Sequence, residues 1–251
     1  MSMRFAGLDI GSRAIKLAVV EDGELAASRV TDTTYDPLRV ARELLDGAGR
    51  VDRLVATGYG RHLLRENRDD VEVITEIKAV ALGARAVAPE ARAVVDIGGQ
   101  DTKAIALDGR GRVAKFAMND RCAAGTGRFL EVMAVALSLS PEAFVEAAER
   151  AERAEKLSSV CAVFAESEVV ALLARGRERD AIALGIHQAI ATRTLGLLGG
   201  VPVDGPVLFT GGGALNRVLA ALFADAVAQP LLVPDSPQTV AAHGCALHAM
   251  S

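Results

Sequence analysis

The chain has 251 residues, of which 51% are apolar and 24% charged, and its formal net charge is −4. These values are typical of a globular chain that is long enough for two compact lobes. No long basic run is present, which argues against nucleic acid as a partner. Neither a secretory leader nor an apolar stretch of the ~20 residues that a membrane span needs is visible. We therefore expect a cytoplasmic protein with no membrane partner, and three cysteines in such a chain argue against a disulfide framework.

The hydrophobic patterning predicts strands and helices that alternate along the chain. The first half contains, in chain order, strands at residues 5–10 and 15–20 around the turn Gly11-Ser12-Arg13, a helix from Asp36-Pro37 to about Leu45, a strand at 54–57 and a helix at about 77–87. The second half contains strands at 93–97, 102–107 and 113–118, helical segments from 123 to about 196 with breaks near 140 and 158, short strands at 207–209 and 231–233, and a helix from Pro237.

The start of the second half repeats the start of the first. The segments FAGLDIGSRAIKLAVVEDG and AVVDIGGQDTKAIALDGRG both have an apolar run, Asp-Ile-Gly, a lysine, a second apolar run and Asp-Gly. Such self-similarity indicates an internal duplication. We therefore predict two similar lobes, residues 1–90 and residues 91–251, each of which presents a glycine turn to a shared cleft.

Each Asp-Ile-Gly segment is suited to bind phosphate, because glycine lets backbone N–H groups approach an anion and the aspartate can orient water on Mg²⁺. One such loop has Asp9 with Gly11 and Ser12, and the other has Asp96 with Gly98, Gly99 and Gln100. Either segment alone is equally a plain strand end and turn, and Lys16 and Lys103 are either phosphate-binding or merely solvated. Two copies, together with a glycine run after a third strand at Gly211, Gly212 and Gly213, favour a nucleotide site. Neither a Walker A pattern nor a dinucleotide fingerprint is present.

These segments resemble those of the superfamily that contains actin, Hsp70-type chaperones and sugar kinases. The resemblance implies an α/β, actin-like (ribonuclease H-like) fold in which ATP or ADP with Mg²⁺ lies between duplicated lobes. It also implies that two connecting helices cross, one after Glu76 and one at about residues 238–251 that packs back on the first lobe, with Gly83 and Gly244 permitting a close approach. The implied catalytic residues are Asp9, Asp96, Gln100 and Glu76, and the implied nucleotide contacts are Gly11, Ser12, Lys16, Gly98, Gly99, Asp101, Gly211, Gly212, Gly213, Asn216 and Gln238.

Cys122 and Cys161 each precede a predicted helix. A helix N-terminus favours a thiolate, so both positions suit metal ligands, although a buried apolar cysteine is the common alternative. An iron–sulfur cubane takes four thiolates, which a twofold dimer of this chain would supply, whereas a zinc site would more often show paired CxxC spacing. Cys245, in the last predicted helix beside His243, reads as a buried cysteine, and neither residue is assigned a role.

The segments DIGGQDTKAI, MNDRCAAGTGRFLEVMA and VFAESEVVALLA resemble the activators of 2-hydroxyacyl-CoA dehydratases, which are grouped with benzoyl-CoA reductase ATPase subunits. The resemblance implies a homodimer that holds one [4Fe–4S] cluster through Cys122 and Cys161 of each chain. It further implies ATP-driven one-electron transfer to an iron–sulfur acceptor enzyme, with a ferredoxin or flavodoxin as the upstream donor. The segment Gly-Gly-Gly-Ala-Leu-Asn departs from the more common Gly-Gly-Val-like form, so its individual contacts are less determined.

Three other functions stay open on the sequence. A reductase of a double-cubane-cluster protein, or an ATPase subunit of a benzoyl-CoA-type reductase, would differ only in its electron acceptor. A small-molecule kinase on the same fold would give the two cysteines no task. An ATP-switched scaffold would bind no cluster and would be indifferent to air.

Overall fold

The computed structural model describes residues 2–158 and 162–251, and it contains two five-stranded mixed sheets. The first sheet has the order β3-β2-β1-β4-β5 and consists of β1 (Arg4–Ile10), β2 (Ala14–Glu21), β3 (Glu24–Asp32), β4 (Arg53–Thr57) and β5 (Val71–Val73). The second sheet has the order β10-β9-β6-β7-β8 and consists of β6 (Ala93–Ile97), β7 (Thr102–Leu107), β8 (Val113–Asn119), β9 (Val207–Thr210) and β10 (Leu231–Leu232).

The two sheets share one topology. In the first, β1 pairs antiparallel with β2 and parallel with β4; in the second, β6 pairs antiparallel with β7 and parallel with β9. The register is equivalent as well, because Asp9 opposes Lys16 and Asp96 opposes Lys103. Residues directly opposite in an antiparallel pair point to the same face. The repeat seen in the sequence therefore places an Asp–Lys pair at the same end of each sheet.

The helices cover these sheets and extend the second lobe. They are α1 (Pro37–Ala48), α2 (Arg61–Glu66), α3 (Glu76–Val87), α4 (Gly127–Ala136), α5 (Pro141–Arg150), α6 (Ala162–Ala174), α7 (Arg179–Leu198), α8 (Arg217–Ala226) and α9 (Val240–Ala249). Local signals set several starts: the side chain of Asp36 accepts a hydrogen bond from Arg39 N and Pro37 follows it at the first helical position, while Thr75 caps α3 through Lys78 N.

Some boundaries differ from the sequence prediction. All residues of β3 are exposed, so neither face gives the alternating pattern by which strands are recognised, and this strand was not predicted. The short α2 and β5 were also missed. Helix α4 ends at Ala136, short of the predicted break near residue 140, because Ser138 adopts a positive φ of 55°. The C-terminal helix starts at Val240, after a single 3₁₀ turn at Pro237–Thr239.

The two connecting helices, α3 and α9, each pack against residues of the other lobe. Buried residues of α3, among them Ala79 and Val80, belong to a core cluster that includes Ile105 of the second sheet. Helix α9 packs against β1, β2 and β4 of the first sheet, with Ala246 beside Val20. Because α3 and α9 also pack on each other, they form the crossing that joins the lobes.

Helix α7 satisfies the length and composition of a membrane span, the one such helix among the residues that the structure describes. It is mostly a core element, since 56% of the relevant window is buried inside the fold. It packs mainly against α5, α8 and β7, and it also contacts α4, α6 and β8. Its apolar character is thus explained by packing within the second lobe.

Candidate functional site: the cleft between the sheets

A cavity of about 880 Å³ lies between the two lobes. Every residue that the sequence predicted to act on or bind the nucleotide borders it: Asp9, Gly11, Ser12, Lys16, Glu76, Asp96, Gly98, Gly99, Gln100, Asp101, Gly211, Gly212, Gly213, Asn216 and Gln238. Arg13, Tyr59 and Asp120 also line it, and no motif pointed to them. The cavity is large enough for a nucleotide, since ligand pockets commonly measure 300–1,000 Å³.

The loop between β1 and β2 is built around Asp9. Its carboxylate accepts a hydrogen bond from Lys16 Nζ at 3.0 Å, and both side chains are largely buried. Gly58 lies against this carboxylate with φ of +85°, and a Cβ added there would lie 2.5 Å from Asp9 Oδ1. Burial acts to lower the pKa of Lys16, but the neighbouring Asp9 outweighs it and raises that pKa, so Lys16 is a fixed positive charge at the cavity wall.

The equivalent loop between β6 and β7 holds a denser cluster. Lys103 is only 3% exposed, and its Nζ lies 2.7 Å from Asp101, 2.8 Å from Glu76 and 3.5 Å from Asp96. Burial acts to lower the pKa of Lys103, but Asp96, Glu76 and Asp101 outweigh it and raise that pKa. Lys103 is therefore a buried, charged side chain. The alternative that it is merely solvated at a strand edge is wrong for this lysine.

Glu76 differs from the two aspartates. It opens α3 and faces the cavity from the connection between the lobes. Burial raises its pKa, with further contributions from Asp101 and Asp9, while Lys103 acts in the opposite direction. A carboxylate whose pKa is raised accepts a proton more readily, which is the property a general base near nucleotide requires. Gln100 is exposed at the cavity rim.

The glycine run after β9 permits a close backbone approach. Gly211 has φ of +82°, and a Cβ at that position would overlap Ile97 O, while a Cβ at Gly213 would lie 2.6 Å from Ile97 Cβ. Thr210, just before the run, donates its hydroxyl to Asp96 Oδ2 at 2.8 Å. This hydrogen bond joins the glycine run to Asp96, just before the loop between β6 and β7.

Asn216 joins this run to the protein core. Its side-chain oxygen accepts hydrogen bonds from Val218 N and Leu219 N, which caps α8, and its Nδ2 lies 2.9 Å from His187 Nε2. His187 Nδ1 lies 2.7 Å from Ala183 O. These contacts define a neutral ring that accepts at Nε2 and donates at Nδ1. No motif in the sequence includes His187. It is distinguished there only as a polar residue within a largely apolar helical segment.

The segment around Cys122 forms a loop between β8 and α4. Asn119 Nδ2 donates to Cys122 O at 2.9 Å and to Ala124 O at 3.0 Å, and Thr102 Oγ1 donates to Gly125 O at 2.6 Å. Asn119 is the last residue of β8 and its amide is used within the loop, and the helix that follows begins only at Gly127, after Thr126. Cys122 is a half-buried free thiol.

The loop between β6 and β7 is in direct contact with α4, the helix that follows Cys122. Gly127 N donates to Gly98 O at 2.9 Å, and Arg128 N donates to Gly99 O at 2.9 Å. From the other lobe, Arg13 pairs with Glu131 of α4 at 2.7 Å. The first turn of α4 is thus held by carbonyl groups of the loop between β6 and β7.

The second candidate cluster ligand, Cys161, lies outside the described residues. Within residues 2–158 and 162–251, no group of three or more His, Cys, Asp or Glu side chains is arranged to hold a metal. Cys245 is fully buried in α9, and burial, with Asp9 and Glu76 nearby, raises the pKa of its thiol. A protonated, inaccessible thiol is suited to packing rather than to metal binding.

Comparison with known proteins gives matches over the whole chain. The activator of lactoyl-CoA dehydratase from Anaerotignum propionicum is 40% identical and covers 97% of this chain and 96% of its own length. A benzoyl-CoA reductase polypeptide from Thauera aromatica is 34% identical, over 92% of this chain and 88% of that protein.

Solved structures also match over nearly the whole chain. The (R)-2-hydroxyglutaryl-CoA dehydratase component A of Acidaminococcus fermentans superposes with a TM-score of 0.91 at 35% identity, covering 98% of this chain and 97% of that one. The activator of 2-hydroxyisocaproyl-CoA dehydratase from Clostridium difficile, with bound ADPNP, gives 0.89 at 37% identity, covering 98% and 94%. The predicted actin-like ATPase fold is confirmed. The family described as the BadF/BadG/BcrA/BcrD ATPase family matches residues 6–249, and the chain belongs to this family.

Proposed function

We propose that this protein is an ATP-dependent one-electron donor that activates a partner iron–sulfur enzyme of the 2-hydroxyacyl-CoA dehydratase type. The observation that carries the proposal is the pair of hydrogen bonds from Gly127 N and Arg128 N to the phosphate loop. A movement of Gly98 and Gly99 on nucleotide binding would be transmitted to α4 and to the loop of Cys122. The names of the relatives, activators of such dehydratases, support the choice of partner.

The nucleotide would lie with its phosphates between the two Asp–Lys pairs. Lys16 and Lys103 supply fixed positive charge, and Asp9 and Asp96 offer the carboxylate oxygens that Mg²⁺ and its waters prefer. Glu76 and Gln100 line the same space and would place the attacking water. Closure of the lobes on ATP and their release after hydrolysis would move α4 through its contacts with both phosphate loops.

The residues around Cys122 fit a cluster ligand. The thiol is half-buried, lies in a loop that three side-chain hydrogen bonds hold, and precedes the N-terminus of α4. One chain offers Cys122 and Cys161, so a homodimer would hold one [4Fe–4S] cluster with four thiolates. When bound, such a cluster supplies one-electron transfer at a potential that hydrogen bonds and solvent exposure adjust.

Exposed apolar side chains in the same lobe support a dimer. Val135 of α4 is 75% exposed and Phe164 of α6 is 68% exposed. These two helices pack on each other, and a contiguous exposed apolar patch commonly marks an association surface. A ferredoxin or flavodoxin would reduce the dimer, and the dimer would reduce its acceptor.

An alternative with the same machinery is the ATPase subunit of a benzoyl-CoA-type reductase, which the likeness to the Thauera aromatica protein supports. It differs in the acceptor alone. A small-molecule kinase is less well supported, because it leaves the bonded loop of Cys122 without a function.

The test is anaerobic purification followed by visible absorption, iron and sulfide analysis and measurement of the mass in solution. We expect a brown dimer with about four irons per two chains, and loss of colour in Cys122→Ser and Cys161→Ser. Cys245→Ala is the matched control and should stay brown. A wild-type protein that stays colourless after anaerobic reconstitution with iron and sulfide would contradict the proposal.

A second measurement separates ATP-driven transfer from simple cluster binding. The reduced protein is mixed with a 2-hydroxyacyl-CoA dehydratase, and reduction of the dehydratase is followed with ATP and with ADP. Transfer with ATP alone is expected. Equal transfer with both nucleotides would refute the coupling.

A further inference from the structure

A second cavity lies on the side of the Cys122 loop that faces α7. It measures about 270 Å³ and is separate from the nucleotide cleft. The residues that line it come from β7, the end of β8, the loop before α4 and the C-terminal half of α7: Thr102, Asn119, Ala124, Gly125, Arg193, Thr194, Gly196 and Leu197. None of these side chains is acidic, so the cavity differs from the carboxylate-rich cleft.

Two polar groups of this cavity have no partner among the described residues. Thr194 is 2% exposed, and its Oγ1 makes no hydrogen bond. A buried hydroxyl without a partner is uncommon in folded proteins and calls for a ligand or an ordered water. Arg193, one position earlier, lines the cavity, and no hydrogen bond or ion pair of its guanidinium is found within residues 2–158 and 162–251.

The chemistry of the wall identifies the class of ligand. A guanidinium binds a carboxylate through two parallel hydrogen bonds, and a hydroxyl donates a further one. Leu197 and Ala124 add an apolar surface, and the volume exceeds what a bare inorganic anion fills. We propose that this cavity binds a small carboxylate with a short apolar chain, held by Arg193 and Thr194. Such binding does not depend on the proposed function.

The site would act on the Cys122 loop through Gly125. Gly125 has φ of +91°, and a Cβ added there would lie 3.2 Å from Cδ of Arg193, so the loop backbone rests on the arginine stem. Thr102, which also lines the cavity, holds Gly125 O, and Asn119 holds Cys122 O and Ala124 O. A ligand that fixes Arg193 would therefore restrict the loop that carries the cysteine.

The test uses butyrate as the probe, titrated into the anaerobically purified protein without nucleotide. Binding is followed by the melting temperature, and hydrogen exchange of the peptide spanning residues 119–127 is measured in parallel. We expect a saturable rise in melting temperature and slower exchange in that peptide. Butyramide, which has the same shape without the charge, should give neither effect.

Two variants examine the named residues. Arg193→Gln should raise the apparent Kd for butyrate by at least about tenfold, as expected for loss of a charged hydrogen-bond pair. Thr194→Val has nearly the same shape, so it should fold with unchanged or higher stability when no ligand is present and still bind butyrate more weakly. The matched control is Arg85→Gln, because the stem of Arg85 likewise packs on a glycine of positive φ, Gly111, away from the cavity.

Three outcomes would overturn the proposal. The first is the absence of a saturable effect of butyrate, and the second is an equal effect in Arg193→Gln and in the wild type. The third is tighter binding of inorganic phosphate than of butyrate at a site that Arg193→Gln removes, which would assign the cavity to a phosphate instead.

Discussion

Gly83 of α3 and Gly244 of α9 lie at a helix crossing where backbone meets backbone. A Cβ added at Gly83 would overlap Val240 O, and one added at Gly244 would overlap Ala79 O. The lobes are therefore joined by two helices that touch without intervening side chains. Such contact leaves no flexible group that could move aside for an added methyl group.

Alanine at either glycine should disturb this crossing. We expect Gly83→Ala and Gly244→Ala each to lower the free energy of unfolding by about 1–3 kcal/mol or more, the usual cost of overpacking. Chemical denaturation measures the loss. Gly196→Ala is the matched control: Gly196 lies in α7 with no atom near its missing Cβ, so alanine there should stabilise by about 0.5–1 kcal/mol. Equal stability of Gly83→Ala and wild type would contradict the close crossing.

Lys103→Met should leave three carboxylates without their cation. We expect a loss of about 3–5 kcal/mol of stability, typical of breaking a buried ion pair. Because Glu76 already has a raised pKa, it would take up a proton in the variant; the folded state then binds the proton more tightly than the unfolded state. The destabilisation should therefore grow as the pH rises above the ordinary range of a glutamate.

The measurement is urea denaturation of both proteins across a series of pH values. Lys115→Met, a change at an exposed position of β8, should have little effect at any pH. A pH-independent loss in Lys103→Met would show that Glu76 does not respond to the removed charge.

Asp9→Asn and Asp96→Asn should each slow ATP hydrolysis by about a hundredfold or more, the scale found when one preorganised electrostatic group is removed. Asp9→Asn should bind nucleotide nearly as well, since Lys16 loses its carboxylate partner and keeps its charge. Steady-state hydrolysis and fluorescent-nucleotide binding separate the two effects. Asp22→Asn, in the β2–β3 turn, should hydrolyse ATP at the wild-type rate. Hydrolysis at the wild-type rate by Asp96→Asn would show that Asp96 is not needed for catalysis.

Stability should fall as the medium becomes acidic, in part through His187. Burial lowers the pKa of this histidine from its ordinary value of 6.5, and the hydrogen bond to Ala183 O opposes that effect only partly. The unfolded chain therefore binds a proton first, and stability is lost as the pH falls below 6.5. The slope for one proton is at most about 1.4 kcal/mol per pH unit.

His187→Gln should reduce this acid slope in thermal melts, because glutamine keeps an acceptor for Asn216 and does not titrate. Asn216→Asp should reverse it, since a carboxylate beside the ring would favour the charged form. The same acid slope in His187→Gln and wild type would place the titration elsewhere, for instance at the buried His243, whose pKa burial also lowers.

Asn119→Ala should loosen the Cys122 loop. Two hydrogen bonds to loop carbonyl groups would be lost, at a cost of about 1–3 kcal/mol. In cluster-free protein with Cys161→Ser, alkylation of Cys122 by iodoacetamide should be faster. Asn67→Ala, which removes a similar bond to Leu63 O at the exposed end of α2, should leave the alkylation rate unchanged. An unchanged rate in Asn119→Ala would mean that other contacts fix the loop.

The duplicated fold and the family could both be predicted from the order of residues along the chain. An Asp-Ile-Gly segment and a lysine seven residues after the aspartate occur in both halves, and antiparallel pairing sets Asp9 opposite Lys16 and Asp96 opposite Lys103. Hairpin geometry is local, so spacing along the chain suffices to predict it.

Which side chains lie beside these Asp–Lys pairs depends instead on how the helices pack. Glu76 reaches Lys103 because α3 crosses between the lobes, and His187 reaches Asn216 because α7 packs beside α8. Arg193 and Thr194 border the Cys122 loop for the same reason. Such contacts join residues that are distant along the chain, and they require the tertiary arrangement of whole helices. No local pattern of residues encodes that arrangement, which is why the second cavity had no signal in the sequence.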